Sequence, residues 1–183
     1  MVDFVGFPKI PRLSRECYVT EKLDGTNAII FIGEDGEFLV GSRTRWITPE
    51  CDNHGFARWC YDNKDQLMGL GPGRHFGEWW GRGINRGYGL QERRLSLFNV
   101  GRWGRDGRDG ITEPPACCDT VPILYRGLFE TCAIQRVLDY LRQTGSVAAP
   151  GFMKPEGIVV FHVAGNHMYK KTCEKDEQWK GNA

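Results

Sequence analysis

A lysine stands two residues before an Asp-Gly pair in the stretch CYVTEKLDGTNAIIFI, residues 17–32. A lysine side chain is an ammonium near neutral pH and cannot attack an electrophile in that form. It turns nucleophilic where burial or neighbouring cations favour the free amine. Apolar runs flank Lys22 on both sides and supply a packed setting, and the turn DGTN brings backbone N–H groups and the Asn27 amide close to whatever the lysine meets. The same residues also suit a β-hairpin with a solvated lysine on its outer face, because Asp-Gly is a strong hairpin signal. On this stretch alone both readings stand.

Other residues have types that complement a reactive lysine. FGEWWG sets Glu78 among aromatic rings, where a carboxylate needs a partner such as a ribose hydroxyl, a cation or a metal. PEGIVVF places Glu156 at the start of a β-branched run, MYKKT places Lys170 and Lys171 at another strand end, and SRTR places Arg43 and Arg45 after a third strand. Cations neutralise phosphates, carboxylates hold divalent metal or sugar hydroxyls, and a ring stacks on a base. Together these residue types suit a pocket for a nucleoside triphosphate.

The order Lys-Leu-Asp-Gly (22–25), Ser-Arg (42–43), Gly-Glu-Trp-Trp-Gly (77–81), Leu-Phe-Asn (97–99), Glu-Gly-Ile-Val-Val (156–160) and Lys-Lys (170–171) resembles the covalent nucleotidyltransferase superfamily. That superfamily holds ATP-dependent DNA ligases, RNA ligases and mRNA-capping guanylyltransferases, and EKLDGTN is most similar to its phage nick-sealing RNA ligase branch. The resemblance runs from about residue 17 to about residue 180 and implies a nucleotidyltransferase (ATP-grasp-like ligase) domain. It implies ATP and Mg²⁺ or Mn²⁺ as cofactors, and nucleic acid with 5′-phosphate and 3′-hydroxyl ends, RNA preferred, as partner. Lys22 would attack the α-phosphate of ATP and form a lysyl-AMP. Glu21 would lie near the adenine, Phe98 would stack on it and Glu78 would bind the ribose. Asn27 and Arg43 would contact the ribose or the end to be joined, Glu156 would orient Lys22 and metal, and Lys170 and Lys171 would neutralise the α-phosphate.

The chain departs from the pattern at two places. Asn99 replaces the usual Asp after the stacking Phe, and the late lysines are adjacent where Lys-x-Lys is usual. Adjacent residues on a strand face opposite sides, so one of the two faces the nucleotide, with Lys170 preferred. The expectation is one adenylyltransferase domain over residues 1–183 with no C-terminal clamp or oligonucleotide-fold domain. A DNA ligase, a capping-type guanylyltransferase and a non-catalytic nucleic-acid-binding relative are the alternatives.

These residues must be positioned by a strand-rich scaffold. YVTEKL, NAIIFI, EFLVGS, RHFGEWWG, RLSLFNV, EGIVVFHV and HMYKKT read as strands. GFARWCYDNKDQL spaces apolar residues along one helical face until Gly69 and Gly71, and CAIQRVLDYLRQTG is a second helix, with Thr131 as cap and Gly145 at its end. The class is α+β, with antiparallel-rich sheets and flanking helices. Trp79 and Trp80 read first as core or interface packing residues; alternation turns one inward and one outward, and the outward one is the alternative contact for nucleic acid. The loop GRWGRDGRDG, with Arg102 and Arg105 around Trp103, and the stretch GRGINRGYG, with Arg82 and Arg86, suit phosphate contact.

Bulk composition excludes several classes. The 183 residues suffice for one sizeable core, and a net charge of +1 means that any nucleic-acid surface is a local patch. The N-terminus has no basic segment followed by an apolar core, and nothing approaches a membrane span. The seven Cys form no CxxC pair, and Cys51, His54 and Cys60 fit no standard zinc spacing, which reads as reduced thiols in a cytoplasmic protein.

Overall fold

A computed structural model of the chain describes residues 2–104 and 112–174. Two sheets carry the fold: a four-stranded sheet in the order β10-β9-β1-β8 and a six-stranded sheet in the order β4-β3-β2-β5-β6-β7. The first contains β1 (Glu16–Lys22), β8 (Ile123–Leu128), β9 (Gly157–His162) and β10 (His167–Thr172). The second contains β2 (Thr26–Ile32), β3 (Phe38–Gly41), β4 (Trp46–Ile47), β5 (Gly73–Gly81), β6 (Arg93–Leu97) and β7 (Asp119–Thr120). Every pairing is antiparallel except β6 with β7. This is the expected α+β class, with antiparallel-rich sheets and flanking helices.

The Asp-Gly turn is not a hairpin. β1 pairs with β8 and β9, while β2 pairs with β3 and β5, so Leu23-Asp24-Gly25 carries the chain from one sheet to the other. Leu23 is buried with Trp80, Tyr88, Val100, Val121 and Ala149 in a cluster that Tyr18 of β1 also packs against, so the crossing is anchored where the sheets meet. Gly25 is required there by close approach: a Cβ would overlap the Trp79 carbonyl and lie 2.7 Å from the Trp80 Cβ.

Each sheet covers its far face. α3 (Thr131–Thr144) lays Ile134, Leu138 and Leu141 on Cys17, Val19, Ile158 and Val160. Its N-cap is Glu130 in an extended conformation with no side-chain cap bond, one residue before the expected Thr131, and Gly145 ends it at φ 83°. Against the six-stranded sheet lie α1 (Phe56–Asp62) and α2 (Lys64–Leu67), the latter continuing as a 3-10 turn over Met68–Leu70. The expected single helix is broken at Asn63, whose amide Nδ2 donates back to the Trp59 carbonyl at 2.8 Å. β8 was not expected from the sequence, since ILYRGL shows no clean alternation and its burial is gained only beside β1.

Candidate active site

Lys22 is the last residue of β1, with its Cα opposite Gly157 of β9, and Glu156 immediately precedes that strand. The register therefore delivers Glu156 to Lys22: Nζ lies 2.7 Å from both carboxylate oxygens, and both side chains are only partly exposed. Gly157 permits the close pairing of β9 with β10, because a Cβ there would overlap the Lys171 carbonyl.

The two faces of this sheet divide the expected residues. Directly opposed residues share a face, so Lys22 and Thr20 sit with Gly157, Val159 and Lys170, whereas Glu21 sits with Ile158 and Lys171 on the side that α3 covers. Lys170 is exposed and Lys171 half-buried. The register thus puts Lys170 on the face of Lys22.

Glu21 is 1% exposed. Its Oε2 accepts the backbone N–H groups of Val147 at 2.9 Å and Ala148 at 3.0 Å. Its Oε1 is buried and accepts no hydrogen bond from any described residue. A buried acceptor without a donor is costly and asks for one. A cavity of about 940 Å³ opens beneath β6 and reaches Val147 and Ala148, but neither Lys22 nor Glu156 lines it.

The six-stranded sheet contributes the second wall. Asn27 of β2 stands opposite Glu78 of β5, and Glu78 opposite Ser96 of β6. Phe98 follows β6 on the same face, 36% exposed, and its N–H donates to the Phe76 carbonyl at 2.9 Å. Glu78 Oε1 accepts the Gly25 N–H at 3.0 Å, which ties this wall to the Lys22 turn. Burial pushes the Glu78 carboxyl up to about 7; the Gly25 N–H and the Lys22 charge oppose the shift, while Glu156 and Asp24 add to it. Arg43 is exposed in the turn after β3.

A third element was read in the sequence only for its arginines. The loop 82–92 folds back on itself through Arg82 N–H to the Glu92 carbonyl at 2.9 Å, and Ile84 and Tyr88 are buried at its base. From there it holds the Lys22 turn at four points. Tyr88 hydroxyl accepts the Asp24 N–H at 2.8 Å, Asn85 Nδ2 donates to Asp24 Oδ1 at 2.9 Å and to the Gly25 carbonyl at 2.7 Å, and Arg86 Nε reaches Asp24 Oδ2 at 2.9 Å. Tyr88 and Asn85 adopt positive φ, 52° and 43°, a backbone cost accepted where neighbouring contacts fix the conformation. The sequence assigns no contact to Asn85 or Tyr88, and it marks Asp24 only as part of the Asp-Gly turn and the Lys-Leu-Asp-Gly motif. The alternation of Gly with Asn and Tyr in GRGINRGYG was the available signal.

The remaining expected contacts divide. Arg86 is engaged by Asp24 and by the Lys154 carbonyl at 3.0 Å, and Arg82 is exposed. Arg102 lies over the Trp103 ring at 4.6 Å and donates to the Leu70 carbonyl at 2.8 Å, while Arg105 falls outside the described residues. Trp79 and Trp80 do alternate across β5, yet each is 2% exposed, since helix α1 covers one face and the inter-sheet cluster the other; neither is open to nucleic acid.

Two antiparallel-rich sheets that meet at Lys22, with a carboxylate from each wall, form a nucleotidyltransferase-type fold. The model of the RNA ligase family matches residues 15–172, and the chain belongs to that family. Among solved structures it is similar to a Naegleria gruberi RNA ligase mutant with AMP and Mn, at 19% identity, TM-score 0.61, and 87% of this chain against 50% of that one. A second mutant of the same ligase with ATP and Mn matches at 18% identity and TM-score 0.60, covering 90% of this chain and 52% of that one. The chain therefore spans about half the length of these structures. No curated protein matches it. Among the described residues no helix is long and apolar enough to cross a membrane.

Proposed function

We propose that the chain carries out the nucleotidyl-transfer chemistry of an ATP-dependent RNA ligase through a covalent lysyl-AMP on Lys22. The observation that carries this reading is the Lys22 amine held at 2.7 Å by Glu156, on the cleft face between the wall of Glu78 and Phe98 and the wall of Val159 and Lys170. Before attack the ammonium gives up a proton, and the Glu156 carboxylate is the acceptor within reach. The Nζ–P bond to the α-phosphorus then forms as the P–O bond to pyrophosphate breaks. Lys170 and Arg43 offset the charge on the phosphates.

The walls suit the other parts of the nucleotide. Phe98 offers an exposed ring for the adenine, and Glu78 with Asn27, on the same face of the six-stranded sheet, would hold the ribose. Glu21 lies on the α3 side of its sheet, away from the cleft face of Lys22, and its unpartnered Oε1 offers an acceptor to a donor reaching it there. Among the described residues no cluster of three or more metal-binding side chains occurs. That fits a divalent ion brought in on the triphosphate and met by Glu156, since Mg²⁺ commonly keeps waters and phosphate oxygens and takes one or two carboxylates. Such an ion would stabilise charge on the phosphates.

In the full reaction AMP passes from Lys22 to a 5′-phosphate, and a 3′-hydroxyl displaces it to seal the strand. EKLDGTN with Asn27 supports an RNA-directed, phage-like branch over a DNA ligase. The test is incubation with α-labelled ATP or GTP and Mg²⁺, followed by denaturation. Label from ATP that is stable on the denatured protein and lost in Lys22→Ala is the expected result. Label from GTP alone would indicate a capping-type enzyme, and no label from either would leave a binding protein.

A further inference from the structure

The cleft face of the six-stranded sheet continues past Glu78. Ile29 stands opposite Phe76, Phe31 opposite Arg74, and Gly41 links Ile29 to Trp46 on the edge strand. Residues two apart on a strand are roughly 7 Å apart, so the Phe31–Arg74 row lies roughly 13 Å from the Asn27–Glu78 row. This face is open: Phe76 is 49% and Trp46 46% exposed, against 2% for Trp79 and Trp80. The Arg74 guanidinium lies over both Phe31, at 5.2 Å, and Trp46, at 5.7 Å, and the two rings are 6.3 Å apart. Gly41 leaves the room for Trp46, since a Cβ there would come within 3.0 Å of its ring.

Charge is distributed unevenly around these rings. Arg43 and Arg45 are exposed in the β3–β4 turn, at the end of the sheet nearer Asn27. Glu34, Asp35 and Glu37 are exposed in the β2–β3 turn, at the opposite end. Exposed aromatic rings interleaved with guanidinium groups match unpaired nucleotides, which present both a ring face to stack and a phosphate to neutralise. An apolar protein partner would match the rings and leave the arginines unanswered. Paired bases in a duplex keep their ring faces inside the stack.

We propose that this aromatic–arginine face binds the unpaired nucleotides next to the end being joined, and that the acidic β2–β3 turn bounds their path. The proposal rests on the polynucleotide reading above. The test measures affinity for a fluorescent single-stranded RNA and for a fully paired nicked RNA duplex, alongside labelling of Lys22 by ATP alone. Trp46→Ala and Arg74→Ala should each weaken single-strand binding by roughly 5- to 100-fold, the range for losing one stacked base, while leaving the nicked duplex and the ATP label unchanged. Trp46→Phe keeps a ring and should stay near the wild-type affinity, which separates stacking from loss of fold.

Single-strand affinity unchanged in Trp46→Ala and Arg74→Ala would overturn the proposal, as would equal losses on single strand and duplex. Self-association of the wild type that Trp46→Ala abolishes would overturn it in favour of a contact between copies. Absence of ATP label on the wild type would instead strike the ligase reading itself.

Discussion

At the residue scale, the carboxylates of the site do different work. Glu156 is bound to an ammonium by two short contacts, whereas Glu78 is buried beside other acids with one backbone donor and a more distant cation. Burial pushes the Glu78 carboxyl up to about 7. Between the ordinary glutamate value and about 7 the folded protein holds a proton that the unfolded chain has lost, so stability falls as pH rises through that window. Glu78→Gln keeps the acceptor for Gly25 and removes the titration. It should stabilise the nucleotide-free protein at pH 8 by about 1–3 kcal/mol while changing little at pH 5, read by denaturant unfolding at both values. If Glu78 holds the ribose, the same variant should raise the KM for ATP. Glu21 also shows a residue-scale need. Glu21→Ala orphans the Val147 and Ala148 amides and should cost about 2–4 kcal/mol, whereas Glu21→Gln retains an acceptor and should cost less, by the same unfolding measurement.

At the element scale, the loop 82–92 fixes the turn that follows Lys22. Its polar tips reach Asp24 and Gly25, and its apolar residues Ile84 and Tyr88 are buried beneath them. Tyr88→Phe leaves the Asp24 N–H without its acceptor and preserves the ring packing on Trp80 and Phe152. A lost buried partner is worth about 1–3 kcal/mol, so the rate of Lys22 labelling should fall by roughly 10- to 100-fold. The KM for ATP should hold, because the variant keeps the ring packing on Trp80 and removes only the hydroxyl that meets the turn. A parallel rise in KM would make Tyr88 a binding residue instead. The strands that carry Lys22 and Glu78, and the one that Glu156 precedes, were legible in the sequence, because apolar alternation marks them directly. The loop's role was not: Asn85 and Tyr88 lie some 60 residues from Asp24, and no local pattern reports such a contact.

At the scale of the whole molecule, the site exists because the chain changes sheets at Leu23–Gly25. Gly25→Ala forces a methyl against the backbone of β5 and should lower the melting temperature by roughly 2–10 °C, from an overpacking cost of about 1–3 kcal/mol in a chain of this size. What the sequence by itself determined is the set of residue types on which the proposed chemistry rests: a lysine, two glutamates, an aromatic ring and late lysines in a fixed order, along strands whose alternation is local and so readable from neighbours. It also determined the α+β class, for the same reason. The tertiary structure alone decided which elements those strands join. The Asp-Gly pair has the dihedral freedom of a hairpin turn, and only β8 and β9 taking both edges of β1 turned it into a crossing. The tertiary structure likewise decided that Lys170 shares the face of Lys22, that both Trp79 and Trp80 are buried, and that Arg86 serves Asp24. Each of these depends on register and on which layer covers a face, quantities set by contacts between residues far apart in the chain.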